Sequence, residues 1–339
     1  MSHLEPWILL RLLAGLVATA LFVRAGYTSL RVLRRFDAMR ATEGQLALER
    51  QVELASTFVR VGAVAQLAAL VLSVLGADKL SHGIRGAMCA YGTFHANEWG
   101  FPALYASIAA AFAAALLSQL YLFDMRVRGP ELVRTLAAGT LLVAPLAVVD
   151  LALQAKFLLG LDLSVVASCC SVQLDPVASA GGGYVEGPRV LASVLAPAAI
   201  AVSVLVAWLA ARRPRAPTIA VAGALSFAAF PLAVAAIVLD VAPHAFEVPQ
   251  HHCPFCLLRA DVWGLGYALF GALFLAVVWS GGAGLAAVVA RAPGARAALG
   301  PFAARRLRLG ALAWLAVLVL GVAPIVRYAV VSGGAPLFP

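Results

Sequence analysis

The chain has 339 residues, 63% of them hydrophobic and only 12% charged, with a mean hydropathy of +0.94. A soluble domain carries about 25% charged residues, so the polar groups here are too few to cover a water-facing globule, and lipid must solvate much of the surface. The formal net charge of +9 does not point to nucleic acid, because the basic residues lie in loops between apolar stretches, where they orient a membrane protein.

Apolar stretches of about 20 residues, the length that a bilayer core of about 30 Å demands, recur along the chain at 7–25, 57–77, 101–123, 135–160, 189–211, 218–241, 257–281 and 309–331. The first resembles a signal peptide in length. Its leader, MSHLEP, is not basic, no small-residue cleavage site follows, and the arginine-rich GYTSLRVLRR comes next; it reads as a retained span. Residues 30–56 alternate Arg and Glu and read as a helical extension or hairpin at one membrane face. Pro145, Pro197, Pro231 and Pro324 fall inside spans, where kinks in packed helices are tolerated. Asp150 is the deepest acid of the fourth span and a functional candidate on that ground; it is also able to pair with Lys156 or with another helix.

Eight crossings place successive loops on alternating sides. One side receives Arg24, Arg31, Arg34, Arg35, Arg40 and Arg50, then Arg126, Arg128 and Arg134, then Arg212, Arg213 and Arg215, and last Arg291, Arg296, Arg305, Arg306 and Arg308. That is most of the 25 basic residues, and Lys/Arg excess marks the cytoplasmic side. Both termini are then outside. So are Cys89, Cys169, Cys170, Cys253 and Cys256, and His3, His82, His95, His244, His251 and His252. In a bacterial inner membrane, suggested by the Ala/Arg-rich composition, that face is the oxidising periplasm, where thiols cycle or pair.

The two halves resemble each other. CAYGTFHANEWG from Cys89 aligns without gaps with CPFCLLRADVWG from Cys253. Cys89 meets Cys253, Gly92 faces Cys256, Asn97 meets Asp261, and Trp99-Gly100 meets Trp263-Gly264. RLLAGLVATA from Arg11 resembles RVLASVLAPA from Arg189, and length differences fall in loops, as duplication predicts. The expected fold is therefore an all-α integral membrane protein of eight transmembrane helices, built as two tandem four-helix repeats: residues 1–172 with a degenerate motif at Cys89, and residues 185–339 with the full one.

The sharpest chemical signal is His251-His252-Cys253-Pro254-Phe255-Cys256. Pro254 suits a first helical turn, which would set Cys253 at the N-cap of the following span, where N–H groups and the helix dipole favour a thiolate. Cys253 then serves as nucleophile and Cys256 as the resolving thiol, with His251 or His252 assisting. Cys169 and Cys170 have Cα atoms about 3.8 Å apart, short of the usual disulfide range of about 4.4–6.8 Å, so each is expected to pair elsewhere, relay a disulfide, bind a soft metal or bond to Cys89.

The CxxC at a helix head resembles that of membrane thiol oxidoreductases of the DsbB and vitamin K epoxide reductase type, over about 30 residues. Those families are single four-helix units with two cysteine pairs, whereas this chain is twice as long. The resemblance implies thiol–disulfide exchange with a periplasmic thioredoxin-like partner, with a quinone as acceptor.

Soft thiolates with imidazole also suit Cu or Zn, with His82, His95, His244, His251 and His252 as candidate ligands. A histidine pair is able to hold haem, although no CxxCH sequence is present. Trp99 and Trp263 are expected at the interface, with a cofactor contact as the sharper alternative; Asp261 is expected to pair with Arg259 or to carry protons for the thiols. Three readings follow: a thiol–disulfide oxidoreductase using Cys253 and Cys256, with Cys169, Cys170 and Cys89 as a second relay; a metal or haem protein acting in transport or in respiratory-enzyme assembly beside a metalloprotein partner; and a structural subunit of a membrane complex. Lipid is the surrounding partner in each, and nucleic acid in none.

Overall fold

The computed structural model describes residues 5–37, 39, 42–162, 164 and 183–338, the side chains of 183–188 excepted. Cys169 and Cys170, His3 and the boundary expected between the two repeats lie outside the described residues. The described residues form helices and no strands. Helix α1 spans Pro6–Arg35, α2 Glu43–Ser81, α3 Ala90–His95, α4 Gly100–Asp124, α5 Val133–Leu159, α6 Gly183–Arg212, α7 Ala216–Ala236, α8 Ala242–Phe246, α9 Leu265–Val289 and α10 Pro293–Val331. Among the described residues, eight helical segments are long and apolar enough to cross a membrane, α7 and α8 counting as one continuous span. In hydrocarbon every backbone polar group must be satisfied within the segment, which is why these compositions fold as long helices. Large side chains such as Leu142, Val64, Val194 and Leu13 are exposed at 74, 70, 64 and 57%, as surfaces solvated by lipid require.

The chain forms two compact units. The first comprises Met1–Arg85, Thr93–Val165 and Leu285–Phe302; the second comprises Gly86–Gly92, Val166–Gly284 and Ala303–Pro339. The short stretch around Cys89 thus belongs with the motif at Cys253.

In the first unit, α1 packs on α2 and α5, and α4 packs on the same two helices. This is a four-helix bundle in the cyclic order α1, α2, α4, α5. The 30–56 segment is a hairpin of long helices: α1 runs to Arg35 and α2 starts at Glu43, where the Thr42 side chain accepts from the Gln45 amide as an N-cap. Val32, Phe36, Leu48 and Ala137 close that end of the core. Deep in the bundle, Arg11 and Asp150 are 1% and 0% exposed. Arg11 Nη2 donates to both Asp150 carboxylate oxygens at 2.8 Å, so the acid pairs with another helix, not with Lys156. Lys156 instead lies 3.9 Å over the Trp99 ring.

In the second unit, α6 packs on α7. Gly223 of α7 and Gly284 of α9 approach so closely that a Cβ on either would lie 2.6–2.7 Å from the other's Cα, the small-residue contact common between membrane helices. Trp314 of α10 donates to Ser226 of α7 at 2.9 Å.

Two local features depart from the expected spans. The span from α7 widens into a π-helical turn, Ile237–Val241, just before Pro243. Pro243 has no N–H and its ring crowds the carbonyl four residues back, so the turn opens and Ala242 donates to Ile237 instead. The seventh span begins at Leu265, eight residues later than the expected 257. Trp263 and Gly264 both take left-handed φ values, 55° and 63°, which no continuing α-helix accommodates; the apolar run through Leu257 and Leu258 conceals that break in the sequence.

Candidate sulfur site

The second unit gathers three cysteines. Cys253 stands at the head of a single 3-10 turn, Pro254–Leu258, not at the head of a spanning helix. The dipole of a full span is therefore not available to it, which corrects the sequence expectation. After this turn Arg259 is extended and a second short turn, Ala260–Val262, leads to Trp263. The Arg259–Asp261 pair expected from sequence forms at 2.9 Å, and Arg259 Nη1 also donates to the Met88 carbonyl at 3.2 Å. That bond ties the Cys89 segment to the CxxC segment.

Cys89 Sγ lies 3.8 Å from Cys253 Sγ and 3.6 Å from Cys256 Sγ. All three sulfurs lie within 4.8 Å of one another. Their residues are 0, 4 and 3% exposed, and Tyr91, Phe246 and Phe255 wall the cluster. The Tyr91 and Phe255 rings meet with centroids 6.4 Å apart, again pinning the two segments together.

Gly92 sits in a close backbone approach beside Cys89. A Cβ there would stand 2.6 Å from Ala87 Cβ and 2.8 Å from Ala87 Cα. Backbone cannot yield as a flexible side chain does, so no residue larger than glycine fits at this position without a shift. The two Trp-Gly pairs also need their glycines, for different reasons. A Cβ at Gly100 would overlap the Phe94 carbonyl at 2.0 Å, whereas Gly264 has φ +63°.

Among the described residues, none of the candidate histidine ligands belongs to the sulfur group. His251 stacks on Phe246 with centroids 4.2 Å apart, one ring removed from the sulfurs. His252 Nδ1 meets the Val238 carbonyl at 3.3 Å. That carbonyl lies in the π-turn, where its partner five residues on would be Pro243, which has no N–H; His252 supplies the missing donor. His244 Nδ1 lies 2.8 Å from the Asp240 carbonyl and 3.3 Å from its carboxylate, beside the rings of Tyr328 and Phe338. His82 caps α2 at the surface, and His95, exposed at the end of α3, meets the edge of Phe101. Trp263 is 85% exposed, with the Arg327 guanidinium 5.8 Å from its ring centre. It lies just before the spanning helix α9. Sequence reasoning missed the aromatic wall of Tyr91, Phe246 and Phe255, because aromatic residues beside a cysteine are indistinguishable from ordinary core until the fold brings them together.

No protein-family model, no curated protein and no solved structure matches the chain. The chemistry of the site therefore rests on its own geometry.

Proposed function

We propose that this multi-pass membrane protein binds a soft metal ion, Cu(I) or Zn(II), through Cys89, Cys253 and Cys256, and acts in metal transport or in the assembly of a metalloenzyme at the periplasmic face of a bacterial inner membrane. One observation carries this reading: three buried sulfurs lie within 4.8 Å of one another. A Zn–S bond of about 2.3 Å sets sulfur–sulfur separations of about 3.8 Å in a tetrahedral site, and the separations to Cys89 are 3.6 and 3.8 Å. Three thiolates confined together repel one another, and a soft cation among them removes that repulsion. The face assignment rests on the Lys/Arg asymmetry of the loops. Two tandem four-helix repeats with outward termini are supported by the aligned motifs and the even number of spans.

The test is metal analysis of purified protein loaded with Cu(I) or Zn(II) under reducing conditions. About one equivalent per chain is expected, falling severalfold in Cys89→Ser and in Cys253→Ser. A protein that takes up neither metal while all three thiols remain titratable would overturn the reading.

A second reading has its own support. The Cys89 sulfur is near both members of a pair separated by two residues, so any of the three possible disulfides needs only a small approach. Oxidation would pass two electrons and two protons from a thiol pair to the disulfide of a thioredoxin-like partner or to a quinone. Burial of all three residues below 5% places this second, because exchange with a protein requires an accessible attacking sulfur. Alkylation of Cys253 by an impermeant maleimide only after reduction would promote it.

A further inference from the structure

The first unit holds a polar centre that the sulfur site does not involve. Around Asp150 the bundle assembles Arg11 of α1, Gln66 and Ser73 of α2, Ser107 of α4 and Gln154 of α5. All of these are buried. The Asp150 carboxylate accepts from Arg11 Nη2, from Gln66 Nε2 at 2.7 Å and from the Ser107 hydroxyl. Ser107 in turn accepts from Arg11 Nη2 and Gln154 Nε2, each at 3.0 Å. Arg11 Nε donates to Ser73.

This network fixes the orientation of both glutamines. A carboxylate only accepts, so Gln66 must present its N–H to Asp150. The single Ser107 proton is committed to Asp150, so Gln154 must present its N–H to Ser107. Both amide carbonyls are thereby turned away from the donors of the cluster. Arg11 Nη1, Gln66 Oε1 and Gln154 Oε1 have no protein partner, on residues that are 1, 0 and 0% exposed. Each belongs to a group whose neighbouring nitrogen is bonded to Asp150 or Ser107, so all three lie close to that pair. Buried polar atoms of this kind are ordinarily satisfied by ordered water making about three bonds.

We infer that this cluster is a binding site for a small neutral molecule that accepts a hydrogen bond from Arg11 Nη1 and donates to the carbonyls of Gln66 and Gln154: one or two water molecules held within the span. The chemistry selects against other occupants. The guanidinium disfavours a metal cation, the two carbonyls disfavour an anion, and an alcohol head group has only one proton to donate. The bound water sets an exchangeable proton beside a carboxylate at hydrocarbon depth, where ionisable groups mark proton and substrate paths. This inference is independent of the sulfur site.

The test uses the full chain in lipid nanodiscs. Infrared difference spectra between H2(16)O and H2(18)O are expected to show an isotope-sensitive O–H band of bound water that is lost or shifted in Gln66→Met and in Gln154→Met. The thermal midpoint of each variant should fall. No such band in the wild type, or an identical band in both variants, overturns the inference, as does a rise in midpoint on removing the carbonyls. Should the variants fail to fold, radiolytic footprinting of the wild type in 18O water decides. Label enriched on side chains flanking Arg11 and Asp150, relative to other buried positions of the unit, supports the site, and labelling no greater than at those positions overturns it.

Discussion

At the scale of single residues, steric and charge constraints make Gly92, Asp150 and Trp263 testable positions. Gly92→Ala is expected to lower the thermal midpoint by several degrees and Gly92→Cys by more, because the Ala87 backbone stands in the way; differential scanning fluorimetry measures this, and a stable Cys variant would contradict it. Asp150→Asn strips the counter-charge from Arg11, an ion at 1% exposure, and breaking a buried pair costs about 3–5 kcal/mol. Replacing both partners with Leu should recover only part of that loss in the same assay, because Gln66, Ser73 and Ser107 lose the partners the pair supplies. Trp263 is held at φ 55° while 85% exposed, so Trp263→Asn relieves backbone strain at little packing cost and should leave the midpoint unchanged or raise it. Cys89, Cys253 and Cys256 were legible in the sequence as candidate site residues, and the structure brings these three together; Asp150 was legible as a deep acid. Arg11 was not, although an arginine five residues into an apolar span carries the same signal. What composition could not reveal is which helix supplies the partner, since that depends on the rotation of four helices about a common axis.

Helices and turns were legible to different degrees. Long apolar stretches fixed the spanning helices by length alone, and the Arg/Glu stretch, read as a helical extension or hairpin, supplies the ends of α1 and α2. The start of α9 was not legible, since the apolar residues before it occupy 3-10 turns and the break is set by two left-handed residues. The π-turn was likewise hidden, because Pro243 lies just past the expected end of the sixth span at 241 and its effect on the Val238 carbonyl appears only in the fold. Pro243→Ala restores a donor for the Leu239 carbonyl and lets the turn tighten, so that Ala242 bonds Val238 and His252 loses its anchor. The expected outcome is a changed His252 imidazole shift in nitrogen-15 NMR and severalfold faster alkylation of Cys253. An unchanged spectrum and rate would show that the anchor does not govern the motif.

Across the whole molecule, composition alone demanded a lipid-solvated surface, and the lipid-facing side chains test it. Leu142, 74% exposed in the middle of α5, becomes a charge at hydrocarbon depth in Leu142→Asp, which costs about 2.5–3.5 kcal/mol of insertion free energy. Glycosylation mapping should report a reduced inserted fraction, and full insertion would place that face away from lipid. The grouping of the Cys89 stretch with the motif at Cys253 was not legible as a contact, because it joins segments remote in sequence. That remoteness has a mechanical corollary. Cys89 and Cys253 are 164 positions apart, so whatever ties their sulfurs together threads a clasp through nearly half the polypeptide. Any occupant that prefers the folded form stabilises it in proportion to the logarithm of its concentration, so the durability of this protein in a bilayer becomes a reading of how much of that occupant its surroundings supply.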